Sequence, residues 1–370
     1  MTDQRSQAEL VRQSLKRRYR KERRFRAYGI AAIAIALSAL VILFADIIGK
    51  GHTAFIKTTV TLEVDIDGEA MYLDDASDER QMKMADFVEP LIRALMKEIP
   101  EAGESDRDDV RDLINPYASN QLRDALRENP ELLNTTQTMT FLSHTDVDVY
   151  VKHAGDENYS IKLNEKQQAW VDALYERGVV DTGFNDVFFS RGDSRDPSRA
   201  GILGAIVGSL LTMVVTLALS FPIGVAAAIY LEEFAPQNKL TDFIEVNINN
   251  LAAVPSIIFG LLGLAVFINL FGMPRSVPVV GGLVLTLMTL PTIIISSRAA
   301  IKSVPPSIRE AAEGIGASKM QVVLHHVLPL AMPGMLTGSI IGMAQALGET
   351  APLLLIGMVA FIVDVPDGFF

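Results

Sequence analysis

Few residues in this chain have the type and spacing that chemistry needs. The most conspicuous is Glu349, in the stretch ALGETAPLLLIG at residues 346–357. It lies near the middle of an apolar segment, residues 335–363, that is long enough to cross a bilayer. A carboxylate at that depth costs about 2.5–3.5 kcal/mol on insertion scales, and intramembrane acids default to a functional reading. On one continuous helix Gly338, Gly342, Gln345, Glu349 and Pro352 share a face. Pro352 has no N–H for the carbonyl of Gly348, so the helix opens there. A face of small, polar and backbone-exposing residues belongs inside a bundle or beside a cavity, away from lipid. After residue 200 the only cations are Lys239, Arg275, Arg298, Lys302, Arg309 and Lys319, all in loops or at segment ends. Two states of Glu349 stay open: ionised and paired with a cation on a second membrane subunit, or neutral and bonded within its own bundle to Gln345 or Thr350.

Other chemistry is harder to assemble. His325 and His326 are adjacent, so their side chains diverge on a helix, and no H-E-x-x-H accompanies them. GIGASKM, residues 314–320, is glycine-rich but lacks the spacing and the Lys-Ser/Thr pair that cradle a nucleotide. DIDGEAMYLDDASDE, residues 65–79, lacks the spacing of a calcium loop and reads as a solvated acidic surface. Cysteine is absent, which excludes disulfides, thiolate metal sites and thiol nucleophiles. The expectation is no catalytic, cofactor-binding or metal-ligating residue on this chain.

The elements that must hold Glu349 are membrane spans. Of the 370 residues 49% are hydrophobic, and they cluster. Five stretches reach or approach the length of a span: residues 27–48, 202–231, 251–271, 277–301 and 335–363. Charge orients them. Residues 1–26 hold ten Lys/Arg against three Asp/Glu, and LKRRYRKERRFR abuts the first stretch, so this basic tail is expected to stay cytoplasmic. The first stretch is longer than a signal-peptide core and no small-x-small site follows it, so it reads as an uncleaved anchor. Residues 49–200 are acidic, seventeen Lys/Arg against thirty-one Asp/Glu, and are expected outside as a small α/β domain. Within it, residues 58–68 alternate as a half-buried strand and residues 146–153 alternate again. Helical patterns occupy residues 82–99 and 164–177, and one or two short helices lie in 108–133, broken at Asn115-Pro116-Tyr117. Residues 201–370 form the remaining bundle. Gly204 with Gly208 and Gly338 with Gly342 have the spacing that lets spans approach closely. The chain ends after an odd number of crossings, and a returning final span is expected beyond it.

Residues 303–334 form the loop expected inside. Pro305 and Pro306 start a short helix, Gly314 and Gly316 break it, and Ser318 caps a second helix ending near Pro329. The first helix offers Ala311 and Ala312 between Arg309, Glu310 and Glu313, small residues that admit another protein's surface and charges that set its register. Glu310-Ala311-Ala312, then Gly316, then Leu328-Pro329 resembles the EAA loop of bacterial ABC-importer membrane subunits. His326 departs from the aliphatic residue usual there. ALGETAPLLLIG is similar to the fifth-span segment of PstA-type phosphate permeases, and residues 49–200 look like the extra domain that some of them insert after the first span.

The resemblance implies a polytopic all-α membrane bundle like a type I ABC importer permease, with an inserted small α/β extracytoplasmic domain. It implies a subunit of an ATP-driven phosphate importer in a bacterial inner membrane. Its partners would be a second, PstC-like permease, PstB-like ATPase subunits carrying ATP and Mg, and a PstS-like binding protein outside. No nucleic-acid partner is expected. Glu310, Ala311, Ala312, Gly316, Leu328 and Pro329 would couple to the ATPase. Gln345, Gly348, Glu349, Thr350 and Pro352 would line the pathway or the subunit interface. Two alternatives stay open: a permease for another oxyanion or small solute, and a membrane-anchored extracytoplasmic sensor.

Overall fold

The alternation expected over residues 58–68 is a strand, and it organises the first of two units, Met1–Asn185 and Asp186–Phe370, in the computed structural model of the chain. The structure describes residues 7–153, 159–358 and 365–369. In the first unit α1 (Gln7–Gly51) passes unbroken from the basic tail into the apolar stretch. The charge boundary leaves no mark on the backbone, because Lys and Arg are good helix formers too. Its apolar side chains, Ile33, Ile35, Val41 and Ile42 among them, stay exposed.

Then come β1 (Ile56–Asp65), α2 (Gly68–Met71), α3 (Glu79–Met84), α4 (Glu89–Glu98), α5 (Arg107–Arg111), α6 (Ala118–Glu128), β2 (Thr136–Leu142), α7 (Thr145–His153), α8 (Glu165–Glu176) and β3 (Val180–Phe184). The sheet is antiparallel with β1 in the centre, ordered β2-β1-β3. Val60, Leu62 and Val64 of β1 point to one face and are buried under Leu91 and Leu95 of α4, Leu122 and Leu126 of α6, and Trp170 and Leu174 of α8. On the other face Thr61 and Thr140 join hydroxyls across the ladder at 3.0 Å.

Two expectations fail here. Residues 146–153 alternate but form the helix α7. Asp146 and Asp148 stand in its first turn and Lys152 and His153 in its last, which suits the helix dipole. Lys152 reaches Asp148 at 2.6 Å, and the other Asp148 oxygen accepts the Thr58 N–H, so the segment packs beside β1 instead of extending the sheet. The single helical pattern over 82–99 is two helices. The Asp86 carboxylate accepts the N–H groups of Val88 and Glu89, ending one helix and starting the next.

The second unit contains α9 (Asp186–Ser190), α10 (Leu203–Ile229), α11 (Lys239–Ala252), α12 (Ser256–Gly263), α13 (Pro278–Lys302), α14 (Pro306–Gly314), α15 (Lys319–Val322), α16 (Leu328–Leu347) and α17 (Ala351–Leu355). Wider π-turns prolong α10 over Tyr230–Phe234 and α12 over Leu264–Leu270, and join α15 to α16 over Val323–Val327. Among the described residues, four helical stretches (17–55, 203–234, 278–302 and 319–347) are long and apolar enough to cross a membrane. The pair α11 and α12 makes at most a fifth, bent by 100°. The stretch expected to span from 251 to 271 holds α12 and its π-turn, set off from α11 by the break at Pro255.

Helix α13 is the hub. Gly208, Thr212, Thr216, Ser220, Gly224 and Ala228 recur every fourth residue on α10 and are buried as one stripe. A Cβ on Gly224 would meet the Ile293 side chain at 2.7 Å, and one on Gly282 would meet Val215 at 2.5 Å. Helix α16 approaches the other side, where a Cβ on Gly338 would collide with the Ser296 hydroxyl. Gly342 has only ordinary contacts, so the close approach belongs to Gly334 and Gly338. Threonine hydroxyls on this seam bond back to their own helices, Thr212 to the Gly208 carbonyl and Thr286 to that of Gly282, while Thr216 also reaches the Gly282 carbonyl across the interface at 3.4 Å. Gly282→Val is expected to destabilise the unit by about 1–3 kcal/mol through overpacking. Gly314→Ala, with nothing within 4 Å of its added carbon, should be neutral or stabilising. Thermal unfolding of the purified chain in detergent checks both.

Candidate functional site

The loop segment is built as expected at its start and differently at its end. Pro305 precedes α14 and Pro306 occupies its first turn. The helix runs through Gly314, so Gly314 is not the breaker. Gly316 is, with φ +88°. The Gly316 N–H donates to the Glu313 carbonyl at 2.9 Å and the Ala317 N–H to the Ala312 carbonyl at 3.1 Å, a complete Schellman cap. Ser318 then starts α15: its N–H donates to the Gln321 side chain at 2.8 Å and its hydroxyl accepts the Gln321 N–H. This second helix does not stop near Pro329. It continues through the π-turn into α16. Pro329 has no N–H for the carbonyl four residues earlier, and the wider turn absorbs that loss.

The two alanines face opposite ways. Ala312 is buried with Ala228, Ala300, Ile301, Val304, Val322, Val327, Ala331 and Met335. Ala311 is exposed, as are Glu310, Glu313 and Gly316, and Ile315 is 82% exposed. Leu328 is half-buried against the Ala312 cluster and Pro329 is exposed. Arg309 is not on the outer face. Its guanidinium meets Glu233 through Nε at 3.1 Å and Nη2 at 2.8 Å, and donates to the carbonyls of Val304 at 2.7 Å and Ile301 at 3.0 Å. Beside it Arg298 joins Glu232 at 3.3 Å and Glu245 at 2.6 Å, and Lys302 reaches Glu232 at 3.5 Å. Sequence reading passed over this network. Its signal was present in paired acids at the end of one span facing Arg298 and Lys302, four apart, at the end of another.

The Glu349 region is a turn, which corrects the single helix expected over 335–363. Helix α16 starts earlier, at Leu328, and ends at Leu347, and α17 starts at Ala351. The further residues 359–364 lie outside the described residues. Gly338 and Gly342 thus share a helix face with Gln345 but not with Glu349 and Pro352. The physical reason is Pro352, which cannot continue a helix through 348, reinforced by Gly348 and by Thr350 at the start of α17. Pro352 is buried against α12, where a Cβ on Gly260 would meet the Pro352 Cα at 2.6 Å. Gln345, Gly348 and Thr350 are exposed and Glu349 is half-buried. Among the described residues the Glu349 carboxylate has no hydrogen-bond or ion-pair partner, and neither Gln345 nor Thr350 bonds to it.

Residues 220–368 match the family described as binding-protein-dependent transport system inner membrane component. The matched stretch takes in the Gly316-capped loop and the Glu349 turn. Residues 12–160 match a domain of unknown function, DUF3333. The chain is similar to YqgI of Bacillus subtilis (strain 168), a probable ABC transporter permease protein, at 34% identity over 177 residues, 48% of this chain and 59% of that one. It is similar to the phosphate transport system permease protein PstA of Mycobacterium leprae (strain TN), at 33% over 168 residues, 45% of this chain and 54% of that one. PstC of Haemophilus influenzae, a phosphate transport system permease protein, is 34% identical over 180 residues, 42% of this chain and 57% of that one. The chain thus spans a little over half the length of these relatives.

Proposed function

We propose that this chain is a membrane-spanning permease subunit of an ATP-driven importer and that its solute is phosphate. The observation that carries the reading is α14. It is a short helix, ended by a glycine in the left-handed conformation, that turns Glu310, Ala311 and Glu313 outward while Ala312 anchors it, within the segment that matches the permease family. An exposed helix with a small residue at its centre suits docking of an ATPase chain, which would carry ATP and Mg. Phosphate rests on the relatives whose names include phosphate transport. The translocation pathway would form between this chain and a second permease in a type I arrangement, with the Glu349 turn near their contact. A solute-binding protein would deliver phosphate from outside. Another oxyanion is the nearest competing solute.

The test is reconstitution of the chain with its co-purified permease and ATPase in vesicles. ATP-dependent accumulation of labelled phosphate, reduced by excess unlabelled phosphate and not by sulfate, is the expected result. Accumulation of a different solute with none of phosphate would reject the substrate.

We also propose that residues 1–26 and 303–334 are cytoplasmic and residues 49–200 lie outside as the inserted domain. The charge asymmetry supports this orientation. The absence of native cysteine permits single labels. Ser77→Cys should react with an impermeant maleimide in intact cells, and Ile315→Cys only after the membrane is opened. Ile315 is preferred to Ser318 because Ser318 is a helix cap. Labelling of Ile315→Cys from outside would reverse the topology.

A further inference from the structure

We propose that Arg309 is a positioning residue that makes α14 move as one body with the ends of α10 and α13, so that force applied to the exposed face of α14 reaches the spans. This rests on the reading of α14 as the surface that meets an ATPase chain.

The geometry is specific to a guanidinium. Nε and Nη2 both meet the same Glu233 oxygen, in the π-turn that ends α10. Nη1 and Nη2 then donate to the carbonyls of Val304 and Ile301, at and just past the last turn of α13. Carbonyls at a helix C-terminus carry the negative end of the helix dipole, so a cation there is favourable, and the Ile301 oxygen accepts Arg309 beside the Val304 N–H. One side chain on α14 therefore bonds to two other helices, through planar donors that hold direction as well as charge. The Arg309 and Glu233 side chains are 22% and 10% exposed, so water screens the pair poorly.

The neighbouring charges extend the frame. Arg298 on α13 holds Glu232 of the α10 turn and Glu245 of α11, and Lys302 holds Glu232 again. The ends of α10, α11 and α13 are thereby tied before Arg309 adds α14. At the other end of α14, Ala312 sits in the cluster with Ala228 of α10 and Ala300 and Ile301 of α13. Apolar packing alone would let so short a helix slide or roll, since it is non-directional. The guanidinium supplies the direction. Loss of Arg309 should leave α14 helical and its outer face intact while freeing its orientation.

The test uses the full chain with two introduced cysteines, Tyr230→Cys beside the α10 turn and Ile315→Cys at the end of α14, both exposed. Spin labels there report the distance between the elements in nanodiscs. With Arg309 present one narrow distance distribution is expected. R309Q should broaden or displace it, and R309K, which keeps charge but not the fork, should recover only part. An unchanged distribution in R309Q would overturn the proposal. In the assembled complex, R309Q should keep ATPase binding while solute uptake per ATP hydrolysed falls about tenfold or more. Binding and uptake falling in the same proportion would reduce Arg309 to a folding role and overturn it too. If the unaltered chain binds no ATPase, the proposed function fails, and the distance measurement still decides on Arg309.

Discussion

If Glu349 pairs with a cation of a second subunit, Glu349→Gln should lower uptake by the reconstituted importer at least about tenfold at matched membrane levels, because it leaves that cation unpaired. The carboxylate sits in the three-residue turn between α16 and α17, half-buried and without a partner among the described residues. None of the six cations that follow residue 200 pairs with it among the described residues: Lys239 and Arg275 form no ion pair with Glu349, and the other four are engaged elsewhere. Arg298, Lys302 and Arg309 are engaged by Glu232, Glu245 and Glu233, and Lys319 lies over the Phe234 ring at 5.3 Å. An ionised Glu349 near a phosphate path therefore calls for a cation from another subunit, since a bare carboxylate would repel the anion. Gln keeps the shape and removes the charge. Restoration of uptake by neutralising one Arg or Lys of the second permease would identify the pair. A neutral Glu349 bonded within this chain predicts the opposite, because Gln retains a donor and an acceptor. Among the described residues, Gln345 and Thr350 make no bond to Glu349. Full uptake by Glu349→Gln would reject the charged pair.

Gly316→Val should release the ATPase chain while leaving this protein inserted. At φ +88° a β-branched residue is a severe outlier, and the strain is about 1–3 kcal/mol. A Cβ there meets nothing within 4 Å, so the strain starts in the backbone. The whole effect falls on the backbone, and it is relieved by undoing the bonds from Gly316 to Glu313 and from Ala317 to Ala312. Unwinding that turn displaces Ile315 and the Glu313 side chain from the outer face of α14. Asn tolerates the left-handed region, so Gly316→Asn should retain most ATPase binding where Val does not. Co-purification of the ATPase with each variant is the measurement. Equal recovery with Val would show that this face is not the dock.

The two predictions were legible in the sequence to different degrees. Gly316 was marked as a helix end by its place after a proline-initiated run, and the capping geometry follows from local rules. The Ser318–Gln321 capping box is equally local, as is the strand at residues 56–65, where alternation matches a sheet with one covered face. Glu349 was singled out by cost, since an acid in a long apolar stretch needs a reason. Its neighbours are not legible from spacing, because Pro352, with Gly348 before it and α12 beside it, breaks the helix that the spacing implies.

What the sequence by itself determined is the polytopic character, the acidic stretch after the first apolar one, the proline-initiated, glycine-ended loop helix and the isolated acid. Each rests on composition or on spacing within one segment. Only the tertiary structure decided that Arg309 faces inward to Glu233, that Ala311 and Ala312 take opposite faces, and that residues 146–153 are a helix beside β1. Those outcomes depend on residues as far apart as 76 and 90 positions along the chain. No local pattern encodes which distant carboxylate or carbonyl will satisfy a buried donor, because that choice is made by how the helices pack.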